Sequence, residues 1–141
     1  MKTIRVTEIK NYRGGKLMVP EFDINGEVLQ EPVLDRNGKP IEDAQGNQLM
    51  QPVTTKPANI LTVLDYLVMD FPRNLFTMKH ITECGRLHNK VAEAREKNAE
   101  SIDLEDSQYE WLVGVLKNDK IGIPMFGMNV TSILESLGAT I

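Results

Sequence analysis

Three short turns of one pattern constrain this chain more than any other feature. The pattern is Asp-x-x-Gly, and it begins at Asp23, Asp35 and Asp43. Glycine takes a positive φ at little cost, so a glycine preceded by Asn or another tolerant polar residue is typical of a strand reversal. The apolar stretches between the turns are only two or three residues long. The first third of the chain is therefore predicted to form short β-hairpins.

Prolines interrupt the same segment, and they stand at positions 20, 32, 40, 52 and 57. Because proline has no N–H to donate to a sheet ladder, these strands are expected at edges or in short arms. A lone hairpin is only marginally stable in water, so it needs the helices or another chain to pack against. We expect residues 23–54 to project and to become fully ordered on a partner.

Helical periodicity begins after Pro57. Apolar residues then recur at intervals of three and four in segments that start near Ile60, Thr77, Asp103 and Val130. Asp103 is predicted to be the N-cap of the third helix. The second helix is predicted to run to about residue 98, and its buried stripe is Ile81, Cys84, Leu87, Val91 and Ala94.

Together these patterns predict an α+β fold, in which an N-terminal β-hairpin or meander segment precedes a compact four-helix C-terminal bundle. The predicted boundary follows residue 56, so residues 1–56 form the β segment and residues 57–141 the helical domain. A chain of 141 residues is long enough to bury a substantial apolar core.

The charge of the chain is unevenly distributed. Residues 1–57 carry eight basic and eight acidic side chains, whereas residues 58–141 carry eight basic and twelve acidic ones and hold the whole net charge of −4. An acidic helical body argues against non-specific nucleic-acid binding, because such binding needs a basic surface. No apolar run is long enough to span a bilayer, so we expect no membrane association. The single cysteine, Cys84, excludes an internal disulfide and indicates a reducing compartment.

His80, Cys84 and His88 are the best candidates for metal ligands, because residues four apart on a helix share a face. Cys84, however, lies on the predicted buried stripe, where a free cysteine is usually a small hydrophobic residue. Two turns of helix separate His80 from His88, too far for one ion. The Asp-x-x-Gly turns also lack the ligand spacing of a calcium loop. We therefore predict no catalytic residues, no metal and no cofactor.

An apolar segment, residues 121–128, precedes the final helix and is predicted to be a loop. Methionine and phenylalanine in a loop often cap a core, but flexible thioethers also suit a protein-contact surface. We predict that a protein partner binds this segment and the turns. The predicted partner-binding residues are Asn37, Gly38, Gly46, Leu49, Met125, Phe126 and Met128.

Four features follow one another along residues 33–137. They are Leu34-Asp-Arg-Asn-Gly-Lys-Pro-Ile41, then Leu61-Thr-Val-Leu-Asp-Tyr-Leu67, then a helix of mixed charge before Ile102-Asp-Leu-Glu-Asp-Ser-Gln-Tyr-Glu-Trp-Leu-Val113, and a terminal apolar helix. This order resembles a loose group of small tailed-phage and prophage proteins of mostly unassigned role. The resemblance implies no functional residues.

Two classes of function remain open. The first is a non-enzymatic, phage-encoded interaction protein that is built into the virion or assists its assembly, with a protein partner and a possible homo-oligomer. The second is a phage-encoded regulator or inhibitor that binds a host protein or nucleic acid. Either would act in the host cytoplasm, and the first also in the virion.

Overall fold

The computed structural model describes residues 1–19, 27, 30–52 and 57–139. The chain forms two compact units, of which one comprises Met1–Val19 with Pro57–Ile141 and the other Pro20–Lys56. The turn predicted at Asp23 lies outside the described residues.

The described strands and helices confirm a mixed α+β fold in which N-terminal strands precede the helices. The strands are β1 (Lys2–Arg5), β2 (Gln30–Pro32), β3 (Met50–Pro52) and β4 (Ser101–Leu104). The helices are α1 (Ile60–Met69), α2 (Met78–Glu96), α3 (Asp106–Lys117), α4 (Gly122–Phe126) and α5 (Val130–Ser136). The four predicted helices correspond to α1, α2, α3 and α5.

The boundary predicted after residue 56 does not follow the two units. Residues 1–19 belong with the helices because four of their apolar side chains enter the helical core. These side chains are Ile4, Ile9, Leu17 and Val19. Residues 20–56 alone make up the second unit.

Local capping explains where the first two helices begin. The Asn59 side chain accepts a hydrogen bond from the Thr62 N–H at 3.1 Å, and the Thr62 hydroxyl accepts one from the Asn59 N–H. The Thr77 hydroxyl accepts from the His80 N–H at the start of α2. Each contact satisfies an N–H group that the first helical turn leaves without a partner.

Strand β4 pairs antiparallel with β1, in a register that places Lys2 opposite Leu104 and Arg5 opposite Ser101. The prediction that Asp103 caps α3 was therefore wrong. Asp103 lies within β4, where its carboxylate accepts a hydrogen bond from the Thr3 hydroxyl at 2.6 Å. β4 supplies the hydrogen-bonding partner that the edge of β1 needs. Burial alternates along β4, so the apolar side chains of β4 lie in the core.

The buried stripe of α2 differs from the predicted one at its N-terminal end. Cys84, Leu87, Val91 and Ala94 are buried as predicted, but Ile81 is 50% exposed. His80 occupies this edge of the helix instead, because its ring contacts the core residue Phe71 and the indole of Trp111. No helix in the described parts of the chain combines the length and apolar character needed to cross a bilayer.

Candidate functional site

The two predicted turns that the structure describes are built in the same way. In the first, the Asp35 carboxylate accepts hydrogen bonds from the Asn37 and Lys39 N–H groups at 2.8 and 3.0 Å. The Gly38 N–H donates to the Asp35 carbonyl, and Gly38 has a φ of +79°. The aspartate therefore closes the turn with its side chain while glycine adopts the left-handed backbone, as predicted.

Asp43 repeats this geometry, accepting from Gln45 and Asn47 at 2.9 and 3.0 Å, with Gly46 at a φ of +82°. A further turn of the same type starts with asparagine instead of aspartate. The sequence Arg13-Gly-Gly-Lys16 predicts a turn there, but it was not recognised as one of this pattern. The Asn11 side-chain oxygen accepts from the Arg13 and Gly15 N–H groups, and Gly14 has a φ of +85°. An Asn or Asp followed three residues later by Gly is the signal that would have identified all of them.

These turns connect short extended segments. Three backbone hydrogen bonds link three such segments into a closed circle. In the second unit the N–H of Ile41 donates to the carbonyl of Val33 at 2.9 Å, and Leu49 donates to Ile41 at 2.8 Å. Val33 completes the circle by donating to Leu49 at 2.9 Å. Bridges join the segments pairwise at Leu34–Pro40, Glu42–Gln48 and Pro32–Met50. We call residues 30–52 the inner ring, and Val33, Ile41 and Leu49 its apolar triad.

The first unit contains a second closure with the same connectivity. Leu17 donates to Ile9 at 3.0 Å, Ala58 to Leu17 at 2.7 Å, and Ile9 to Ala58 at 2.9 Å. We call this closure the outer ring. Leu17 follows Ile9 by eight positions, the same spacing as between successive members of the inner triad. In the outer ring, residues 20–56 stand in the chain where the inner ring has its second turn.

The two rings differ in burial. In the outer ring the three apolar side chains are at most 4% exposed, because they belong to the helical core. In the inner ring Val33 and Ile41 are only half-buried, and Leu49 is 41% exposed. Leu34 and Met50, beside the triad in sequence, are exposed as well. The same pattern of backbone hydrogen bonds thus has buried apolar side chains in one unit and partly exposed ones in the other.

The predicted partner-binding residues fall on both units. Asn37, Gly38 and Gly46 lie in the inner-ring turns, and Leu49 is a member of its triad. The other three residues lie in or directly after α4. Residues 121–128 are therefore not the predicted loop, because residues 122–126 close into a helix.

The three residues near α4 are not equivalent. Phe126 is buried, and its ring meets that of Tyr66 edge-on at 5.5 Å, so its side chain is part of the core. Met125 is half-buried against the core. Met128 is exposed and remains a candidate for contact with a partner.

His80 and Cys84 lie in a packed environment. His80 Nδ1 accepts a hydrogen bond from the Trp111 indole N–H at 3.0 Å, so one ring nitrogen is already engaged. Cys84 is buried on the same helix. Among the described residues, no three His, Cys, Asp or Glu side chains are grouped so that they could hold a metal ion.

Burial raises the pKa of the Cys84 thiol from its ordinary value of 9.0 to about 11, and the Glu83 carboxylate adds to the rise. The folded protein therefore retains this proton over a pH range in which the unfolded chain has lost it. The resulting stabilisation is fully present below pH 9 and is lost as the pH rises through 11. Urea unfolding at both ends of this range should show a steeper loss of stability in the wild type than in Cys84→Ala. Equal losses in the two proteins would contradict the assignment.

Comparison of the chain with protein-family models, with curated proteins and with solved structures found no match. The contact surface is therefore inferred from the geometry of the chain's own residues. The most specific feature of that geometry is the contrast between a buried outer ring and a partly exposed inner ring.

Proposed function

We propose that this chain is a non-enzymatic, phage-encoded interaction protein with a structural or assembly role in the virion. We further propose that the inner ring is its contact surface. The supporting observation is that the triad of the inner ring remains accessible, whereas the equivalent outer-ring residues are buried in a core.

The hydrophobic effect favours such a contact. Fully burying an exposed leucine, isoleucine or valine side chain contributes roughly 1.5–3 kcal/mol. β2 and β3 are only three residues long, and strands of this size gain stability by packing on another surface. Each segment of the inner ring already pairs with the other two. Contact through side chains is therefore favoured over the addition of a further strand.

The phage assignment depends on the resemblance over residues 33–137. The net charge of −4, carried by residues 58–141, favours a protein partner over nucleic acid. A host protein bound by a regulator is the other class of partner, and the experiment below separates the two.

Leu49→Asp is expected to abolish capture of the partner, because it places a charge on the apolar triad. Ala44→Asp is the matched control, since it adds the same charge at an exposed turn position of the same unit. Tagged full-length proteins would be used to capture partners from infected cells, with identification by mass spectrometry. Wild type and Ala44→Asp should recover the same virion proteins, and Leu49→Asp should not.

Other results of the capture experiment would support a different function or a different contact surface. Recovery of host proteins in place of virion proteins would support the regulator. Equal recovery by wild type and Leu49→Asp would show that the inner ring is not the contact surface. Thermal unfolding followed by circular dichroism should be the same for all three proteins, because Leu49 and Ala44 lie outside the helical unit.

A further inference from the structure

Helix α2 carries an exposed stripe without charged side chains. Its members recur every three or four residues and therefore share one face of the helix. They are Met78, Ile81, Gly85, His88 and Ala92, and all five are exposed. Met78 is 75% exposed and Ile81 is 50% exposed, so two large apolar side chains lie one turn apart on the solvent-facing side of the helix. We call these five residues the α2 stripe.

The outer ring indicates what kind of surface packs against the apolar side chains of such a ring. Its residues Ile9, Leu17 and Ala58 belong to the same core cluster as the apolar side chains of α1. An apolar helical surface is therefore what the buried example packs against. The α2 stripe offers a surface of this kind.

The charges around the two surfaces are complementary. Residues 78–92, which span the stripe, contain three basic residues and one acidic residue, a net charge of +2. The inner ring, residues 30–52, contains four acidic and two basic residues, a net charge of −2. Opposite charges at the rims of two apolar patches favour their association and set its orientation.

We propose that the inner ring of one copy of this chain docks on the α2 stripe of a second copy. This inference rests on the proposed function and names the partner of the same contact surface. The two surfaces are different, so the contact is head-to-tail. Repetition of a head-to-tail contact gives a closed ring of subunits or an open filament, either of which suits a structural component of a particle.

The full-length protein should self-associate with increasing concentration in sedimentation velocity, and high salt should weaken the association because it screens the charges at the rims. Leu49→Asp and Ile81→Asp should each weaken it by at least about tenfold in Kd, since each places a charge in the apolar contact. Met78→Glu tests the stripe independently at a more exposed position. Ala44→Asp should associate as wild type does.

A mixture of two variants tests the head-to-tail geometry directly. Leu49→Asp retains an intact α2 stripe, and Ile81→Asp retains an intact inner ring. Mixed together at a concentration at which each variant alone is monomeric, they should form a 1:1 complex that grows no further. A mixture that stays monomeric while both variants are folded would overturn the head-to-tail arrangement.

Further results separate this inference from the proposed function. A wild-type protein that stays monomeric at every concentration would overturn self-association. If Leu49→Asp nevertheless loses capture of virion proteins, the proposed function stands without it. If the protein self-associates as described but captures no virion protein, the assembly role fails instead.

Discussion

Leu112→Asp is expected to abolish the cooperative unfolding transition and to remove most of the helical circular-dichroism signal. Leu112 lies in α3 and is completely buried. An aspartate there must either be buried as an ion or take up a proton, and both cost several kcal/mol in addition to the lost apolar contacts. A domain of ordinary stability has only about 5–15 kcal/mol to lose.

The control for this variant is Ser107→Asp, which adds the same charge to the same helix. Ser107 is exposed in the first turn of α3, where a negative charge interacts favourably with the helix dipole. Its melting temperature should equal or slightly exceed that of the wild type. A Leu112→Asp protein that melted at the wild-type temperature would contradict the buried position of this helix face.

Gly122→Ala is expected to be the most damaging conservative substitution among the glycines described here. A β-carbon at Gly122 would lie 2.2 Å from the carbonyl oxygen of Leu116 and 2.4 Å from its Cα. These are backbone atoms, so no side-chain rotation can relieve the clash, and the link between α3 and α4 must shift. Overpacking of this kind typically costs about 1–3 kcal/mol or somewhat more.

Gly114→Ala is a matched control for which the expected change in stability has the opposite sign. Gly114 lies within α3, and a β-carbon there meets no atom within 4 Å. Alanine is preferred to glycine inside a helix by about 1 kcal/mol, so this variant should be more stable than wild type. Urea unfolding of both variants measures the two effects, and a Gly122→Ala protein as stable as wild type would contradict the close approach of α4 to α3.

The elements that were predicted correctly have signals contained within a few residues. The turns at Asp35 and Asp43 depend on a side chain that binds N–H groups two and four positions ahead. The helices depend on apolar residues three and four apart, which meet on one face whatever the rest of the chain does. The inner-ring residues of the candidate site are predicted from the same local pattern of turns, and their role in binding stays a prediction.

The errors occurred where a distant contact competes with a local preference. Asp103 has the chemistry of an N-cap, yet it lies in a strand because that segment pairs with the edge of β1. Ile81 fits the helical period of α2, yet it is His80 that packs at this edge of the helix, because its ring contacts Trp111. Residues 121–128 contain two glycines and a proline, yet α4 forms against the end of α3.

Sequence alone determined the turns, the periodic helices and the order in which they follow, because those depend on side-chain type at short range. Only the tertiary structure decided that the chain closes into two rings. The bonds that close them run between backbone N–H and carbonyl groups. In the outer ring they join Ile9 to Ala58, two residues between which the whole second unit lies in sequence. Nearly every residue carries the same backbone groups, so no residue type marks which of them will meet.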